Sequence, residues 1–161
     1  MRPKDITGKL TPGDHHIAIV VARFNEYITE HLLTAALHTW EQLGGHPDNV
    51  TIARVPGAFE LAVTARKLAE DPNNAAVVCL GCVIKGETDH YDHVVEQTAQ
   101  GVQQAGTLTG KPCIFGVLTC ETLEQAIHRA GAKMGNAGRS AMLTAVEMAN
   151  LIRTLDAEPK D

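Results

Sequence analysis

Ile17-Ala18-Ile19-Val20-Val21 decides the architecture. It is a short apolar run, rich in β-branched residues, with no polar position alternating through it. A strand with one wet face alternates apolar and polar. An unbroken run reads instead as a strand buried on both faces, as in a parallel sheet. A polar stretch, Arg23-Phe24-Asn25-Glu26, follows it. Ile28, Leu32, Leu33, Ala36, Leu37, Trp40 and Leu43 then recur at helical spacing, and Gly44-Gly45 stops that helix.

The same strand-then-helix unit recurs outward along the chain. Val50 to Val55 is a second strand, Pro56-Gly57-Ala58 a turn, and Phe59, Leu61, Ala62, Ala65 and Leu68 suit a helix ending before Asp71-Pro72. Ala75 to Leu80 is a third strand, followed by a long loop from Gly81 to His93 and a helix from about Asp92 to Ala105. Cys113 to Leu118 is the fourth strand, and Leu123 to Ala130 a short helix. A glycine-rich joint, Gly131 to Gly138, leads to a last helix from Ser140 to about Leu155. This alternation means an α/β fold with right-handed crossovers and helices on both faces.

The chain's 161 residues, 44% hydrophobic and 20% charged, fit one domain with a real core. Residues 1–14 read as an N-terminal arm, 15–155 as the α/β domain and 156–161 as a loose tail. With 14 Lys+Arg against 19 Asp+Glu the net charge is −5, which disfavours nucleic acid as a partner. Met1-Arg2-Pro3-Lys4-Asp5 has no long apolar core after its charges, so it does not read as a secretory signal. No apolar run approaches the ~20 residues that span a bilayer. The expectation is a soluble, cytoplasmic protein that binds neither membrane nor nucleic acid.

Of the four cysteines, Cys79 and Cys82 have C-x-x-C spacing. They lie in an apolar strand run, where positions three apart face opposite ways, and no second pair follows: Cys113 and Cys120 are separated by six residues. They read as structural, with no metal expected.

In an open parallel sheet the ligand crevice lies at the carboxyl ends of the strands, beside the switch in strand order. That rule selects the loops Arg23 to Glu26, Pro56 to Glu60, Gly81 to His93, and the region of Thr119 to Glu121. In the third, Gly86 permits close backbone approach, Thr88 offers a hydroxyl, Lys85 a charge, and a helix N-terminus follows. This suits a phosphate cradle; it equally suits a plain loop capped by Thr88 or Asp89. His90 and His93 complete no recognisable metal spacing, and His90 is the better proton-transfer group. His15, His16, His31, His38, His46 and His128 read as surface residues. Phe24 and Phe59 each follow a strand at the crevice and serve either as core or as stacking platforms. Glu60 suits hydroxyl binding or a helix start. Arg129 and Lys133 suit a phosphate or a helix end.

Taken in order, several motifs resemble the lumazine synthase family. They are Ala22-Arg23-Phe24-Asn25, Val55-Pro56-Gly57-Ala58-Phe59-Glu60, and the stretch from Leu80-Gly81-Cys82 through Lys85-Gly86-Glu87-Thr88-Asp89-His90 to Asp92. Phe115-Gly116-Val117-Leu118-Thr119, Glu124 to Gly131, Lys133-Met134-Gly135-Asn136 and Glu147-Met148-Ala149-Asn150 continue the likeness, which spans about Ile17 to Leu151. The first three motifs together are highly specific.

The resemblance implies a single flavodoxin-like domain whose N-terminal strand joins a neighbouring subunit's sheet. It implies condensation of 5-amino-6-(D-ribitylamino)uracil with 3,4-dihydroxy-2-butanone 4-phosphate in riboflavin biosynthesis, without metal or organic cofactor. By the family pattern Phe24 stacks on the pyrimidine, and Asn25, Ala58, Phe59 and Glu60 surround the ribityl chain. Cys82, Val83 and Ile84 meet the ring edge, Gly86, Glu87 and Thr88 hold phosphate, and His90 relays protons. Phe115 and Arg129 come from an adjacent subunit, Arg129 to the phosphate. The implied partners are copies of the chain itself, as a pentamer or a sixty-subunit icosahedral shell, with riboflavin synthase a candidate. One position departs: many members carry lysine after the Gly-Asn pair, where this chain has Ala137. A non-catalytic flavin-binding or storage protein and a shell-forming protein without activity are the competing readings.

Overall fold

The opening pentapeptide forms most of β1 (His16–Ala22), and Ile17 to Val21 are wholly buried. A computed structural model, describing residues 1–160, builds around it a four-stranded sheet in the order β2-β1-β3-β4, parallel throughout. The other strands are β2 (Val50–Val55), β3 (Asn74–Ile84) and β4 (Cys113–Cys120). The chain steps from β1 outward to β2, then back across to β3 on the other side. The switch in strand order therefore falls between β1 and β3.

Three α-helices connect the strands, α1 (Glu26–Gln42), α2 (Leu61–Glu70) and α3 (His90–Thr109), and two follow β4, α4 (Leu123–Arg129) and α5 (Ala137–Ala157). Alternate residues of β1 serve two cores. Ile17, Ile19 and Val21 pack with Trp40 of α1 and Met142 of α5. Ala18 and Val20 pack with Leu61 of α2 and Val102 of α3. Helices thus cover both faces, which is why the strand has no polar position. The flavodoxin-like α/β domain expected from the sequence is the one observed.

Several boundaries differ. β3 runs on to Ile84, four residues past the expected end, because β4 keeps pairing with it through Gly81↔Val117 to Ile84↔Cys120. The loop after it shrinks accordingly, and α3 begins at His90. The joint before the last helix also ends early, because Asn136 caps α5. Its Oδ1 accepts from the amides of Gly138 (2.8 Å) and Arg139 (3.4 Å), making Ala137 and Gly138 helical. At the far end α5 continues through Ala157, so the expected tail at 156–161 begins in helix; Asp161 lies outside the described residues.

The arm before β1 is irregular and lies along its own α5. Asn150 Nδ2 donates to the carbonyls of Lys9 (2.7 Å) and Thr11 (2.8 Å), and Gly8 sits so close to the Glu147 carbonyl that a Cβ would overlap it. His15, expected at the surface, is buried. Its ring bonds Asn150 Oδ1 at 2.8 Å and accepts from Arg153 at 3.0 Å, so the polar partners that make burial tolerable all come from α5. His16, His31, His38 and His46 are exposed as expected, and His128 is half-buried. Among the described residues no helix is long and apolar enough to cross a membrane.

Candidate active site

Backbone pairing gathers the loops at the carboxyl end of the sheet. Beyond β1 and β2 the amide of Arg23 still donates to Val55 O (2.8 Å) and that of Phe24 to Pro56 O (2.9 Å), which lays the first two loops side by side. β1 accompanies β3 only as far as Leu80. Past that point the backbone of Cys82, Val83 and Ile84 presents an edge toward the crevice. Asn25 takes one of its groups: its carboxamide donates to Cys82 O at 2.8 Å. Asn25 also adopts the left-handed conformation (φ 59°), which its short polar side chain tolerates, and so turns the chain from β1 into α1.

A cavity of about 610 Å³ opens between these segments. Phe24, Ala58, Phe59 and Glu60 line one side, Cys82, Val83 and Ile84 the floor, and Gly86, Thr88 and His90 the other side. Ten of the fourteen predicted site residues therefore converge. Gly57 explains part of the fit: a Cβ there would stand 3.2 Å from Glu60 Oε2, tighter than ordinary contact, so its absence leaves room for the Glu60 carboxylate.

The aromatics are out of the core. Phe24 is 71% exposed and Phe59 60%, and Phe115, the third of the chain's three phenylalanines, is 41% exposed. Phenylalanine is among the residues most often fully buried, so placing all three at the surface leaves stacking faces uncovered. That removes the core-packing reading of Phe24 and Phe59.

Across the cavity, α3 starts at His90 with Asp89 as its N-cap. Asp89 makes no capping hydrogen bond from its side chain among the described residues; the Asp92 amide donates to the Asp89 carbonyl at 3.2 Å, which leaves the amides of His90 and Tyr91 at the start of a 20-residue helix available to an anion. Asp89 thus stands at the cap position that the plain-loop reading gave it, without bonding the helix from its side chain. Four predicted residues lie elsewhere. Asn25 is tied to Cys82 and does not line the cavity, and Glu87 is exposed outside the lining. Phe115 and Arg129 line a second cavity of about 440 Å³ at the β4 edge with Met134, Asn136, Ala137 and Ser140. The two cavities share no lining residue among those described.

Tyr91, His93 and Val94 also line the first cavity, and sequence reasoning gave them no role. The available signal was periodicity: 90, 93 and 94 share a helix face once α3 is known to begin at His90. The cysteines act as packing. Cys79 lies in the α2–α3 core and Cys82 in the α1–α5 core, on opposite faces of β3. Burial pushes the Cys82 thiol up to about 12 and Cys113 up to about 11, so both stay neutral.

The site is thus a crevice at a topological switch point, with two bare aromatic rings, a carboxylate, a strand edge and an open helix N-terminus carrying histidine. A family model described as 6,7-dimethyl-8-ribityllumazine synthase matches residues 14–153, nearly the whole domain. The chain belongs to that family, transferases of riboflavin biosynthesis acting on small-molecule substrates.

Proposed function

We propose that the chain condenses 5-amino-6-(D-ribitylamino)uracil with 3,4-dihydroxy-2-butanone 4-phosphate, giving 6,7-dimethyl-8-ribityllumazine, phosphate and water. The observation that carries this is the pairing, in one cavity, of exposed Phe24 and Phe59 with the uncapped start of α3. A flat heterocycle needs the first and a phosphate the second. Phe24 stacks on the pyrimidine, the backbone of Cys82 to Ile84 bonds its edge, and Ala58, Phe59 and Glu60 receive the ribityl chain, Glu60 accepting from its hydroxyls. Asn25 holds that edge in place. Gly86, Glu87 and Thr88 bind phosphate, and His90 moves protons. The amine adds to the ketone, phosphate is eliminated, and the ring closes with dehydration. Holding an amine beside a ketone supplies much of the acceleration.

The site is completed by a neighbour. Phe115 and Arg129 face a separate cavity, which supports their serving the adjacent subunit's substrate, Arg129 clamping the phosphate. The assembly is a pentameric ring, closing further into a sixty-subunit shell. On assembly the arm of residues 1–14, which in the lone subunit is irregular and lies along its own α5, adds a strand to the neighbour's sheet. β2 is a sheet edge with Thr51 and Ile52 exposed, the kind of edge such a strand covers.

The test is to mix both substrates with purified protein and follow lumazine fluorescence. Turnover supports the reaction. Binding of lumazine or riboflavin without turnover identifies a flavin-binding protein on the same fold instead.

A further inference from the structure

Two histidines line the cavity, and the proposed reaction has two kinds of proton transfer. We propose that His93 is a second proton-transfer residue, serving ring closure, while His90 serves phosphate elimination; this rests on the reaction proposed above.

The argument is one of position along α3. The helix starts at the phosphate end, where Gly86, Thr88 and His90 line the cavity. Eight residues on, roughly 12 Å along the axis, Thr98 Oγ1 donates to the carbonyl of Ala58 at 3.3 Å. That bond fastens α3 to the Ala58–Glu60 turn, which is the ribityl end. His93 lies between the two ends, about 4.5 Å beyond His90, and both imidazoles border the same space. His90 is exposed, and so is His93.

The chemistry divides the same way. In the elimination a C–H bond breaks, its proton passes to a base, a C=C bond forms, and the C–O electron pair leaves with phosphate. The base must stand beside the phosphate subsite, where His90 is. The enol then returns to a ketone. In closure, the nitrogen that bears the ribityl chain attacks this ketone carbon and forms the new C–N bond. Its proton is carried by the imidazole to the carbinol oxygen. The C–O bond breaks and water departs with a second proton from the pyrimidine ring, restoring conjugation. No oxidant or reductant enters. This nitrogen is held from the ribityl side, toward which His93 is displaced.

The experiment mixes both substrates rapidly with the full-length protein and records phosphate release and lumazine formation together. In His93→Gln, phosphate is expected at close to the parent rate while lumazine lags by about tenfold or more. His90→Gln slows both. Added imidazole closes the lag in His93→Ala. Sedimentation and circular dichroism matching the parent exclude misfolding, and His93→Asn provides a second polar replacement. Lumazine keeping pace with phosphate in His93→Gln, or equal slowing of both products, overturns the role of His93 alone. A parent protein that forms no lumazine brings down the reaction itself.

Discussion

At the scale of the residue, the proposed chemistry hangs on a few side chains that the core does not need. His90 is exposed at the first position of α3. His90→Ala is expected to leave folding intact and slow turnover toward or below the lower end of the roughly 10²–10⁴-fold range for positioned acid–base groups. Substrate proximity supplies the remainder. Single-turnover rates equal to the parent's remove it from the mechanism. Arg129 has a different signature. Of the two proposed substrates only the butanone phosphate carries a dianion, so Arg129→Ala should cost its binding about 1.5–3 kcal/mol, tenfold to a hundredfold, and spare the uracil. Calorimetric titrations showing equal losses for both substrates refute the assignment. The sequence placed Phe24, Phe59 and His90 at the crevice because each follows a strand or opens a helix. It left Phe24 and Phe59 divided between core and stacking, since an aromatic's exposure depends on what packs above it.

At the scale of the element, the start of α5 packs tightly against α1. Gly138 lies in its first turn, buried against α1, and a Cβ there would overlap the Leu32 carbonyl oxygen. Backbone cannot give way as a flexible side chain does. Gly138→Ala is therefore expected to cost about 1–3 kcal/mol, lowering the melting temperature by several degrees. An unchanged melting curve means α5 can shift away from α1. One residue earlier, Ala137 is the first helical residue and lines the cavity that holds Arg129. A lysine there gains a charge-assisted hydrogen bond of roughly 1.5–3 kcal/mol. It loses about 0.3–1 kcal/mol against the helix dipole, as well as its own side-chain entropy. Ala137→Lys should tighten substrate binding modestly, change the single-turnover rate less, and leave assembly alone. If neither affinity nor rate moves, this helix start does not reach the substrate. The helix bodies were legible from their apolar spacing. Their starts were legible only in part: Asp89 is a cap candidate in the sequence and stands at the N-cap position of α3, whereas the Asn136 cap of α5 acts through side-chain geometry that no periodicity encodes.

At the scale of the whole molecule, surface that a lone subunit should bury is left bare. Phe59, Val63, Leu108, Phe115, Leu123 and Met134 are all more than 40% exposed, and two sheet edges are open. Analytical ultracentrifugation is expected to find a pentamer or a closed shell of pentamers. A monomer sinks the ring; a lone pentamer sinks only the shell. By itself the sequence determined the α/β order, the parallel sheet and the loops that form the crevice. An unbroken β-branched run can be satisfied only between two layers of helices, and strand ends in such a sheet all point one way. Tertiary structure alone decided the rest. β3 reaches Ile84 because β4 is there to bond it, and His15 goes inside because Asn150 and Arg153 meet it from more than 130 residues away. The predicted site divides between two cavities because β4, carrying Phe115, lies at the sheet edge, away from the switch between β1 and β3. Each of these depends on partners distant in the chain, and local pattern carries no information about which partner will be near.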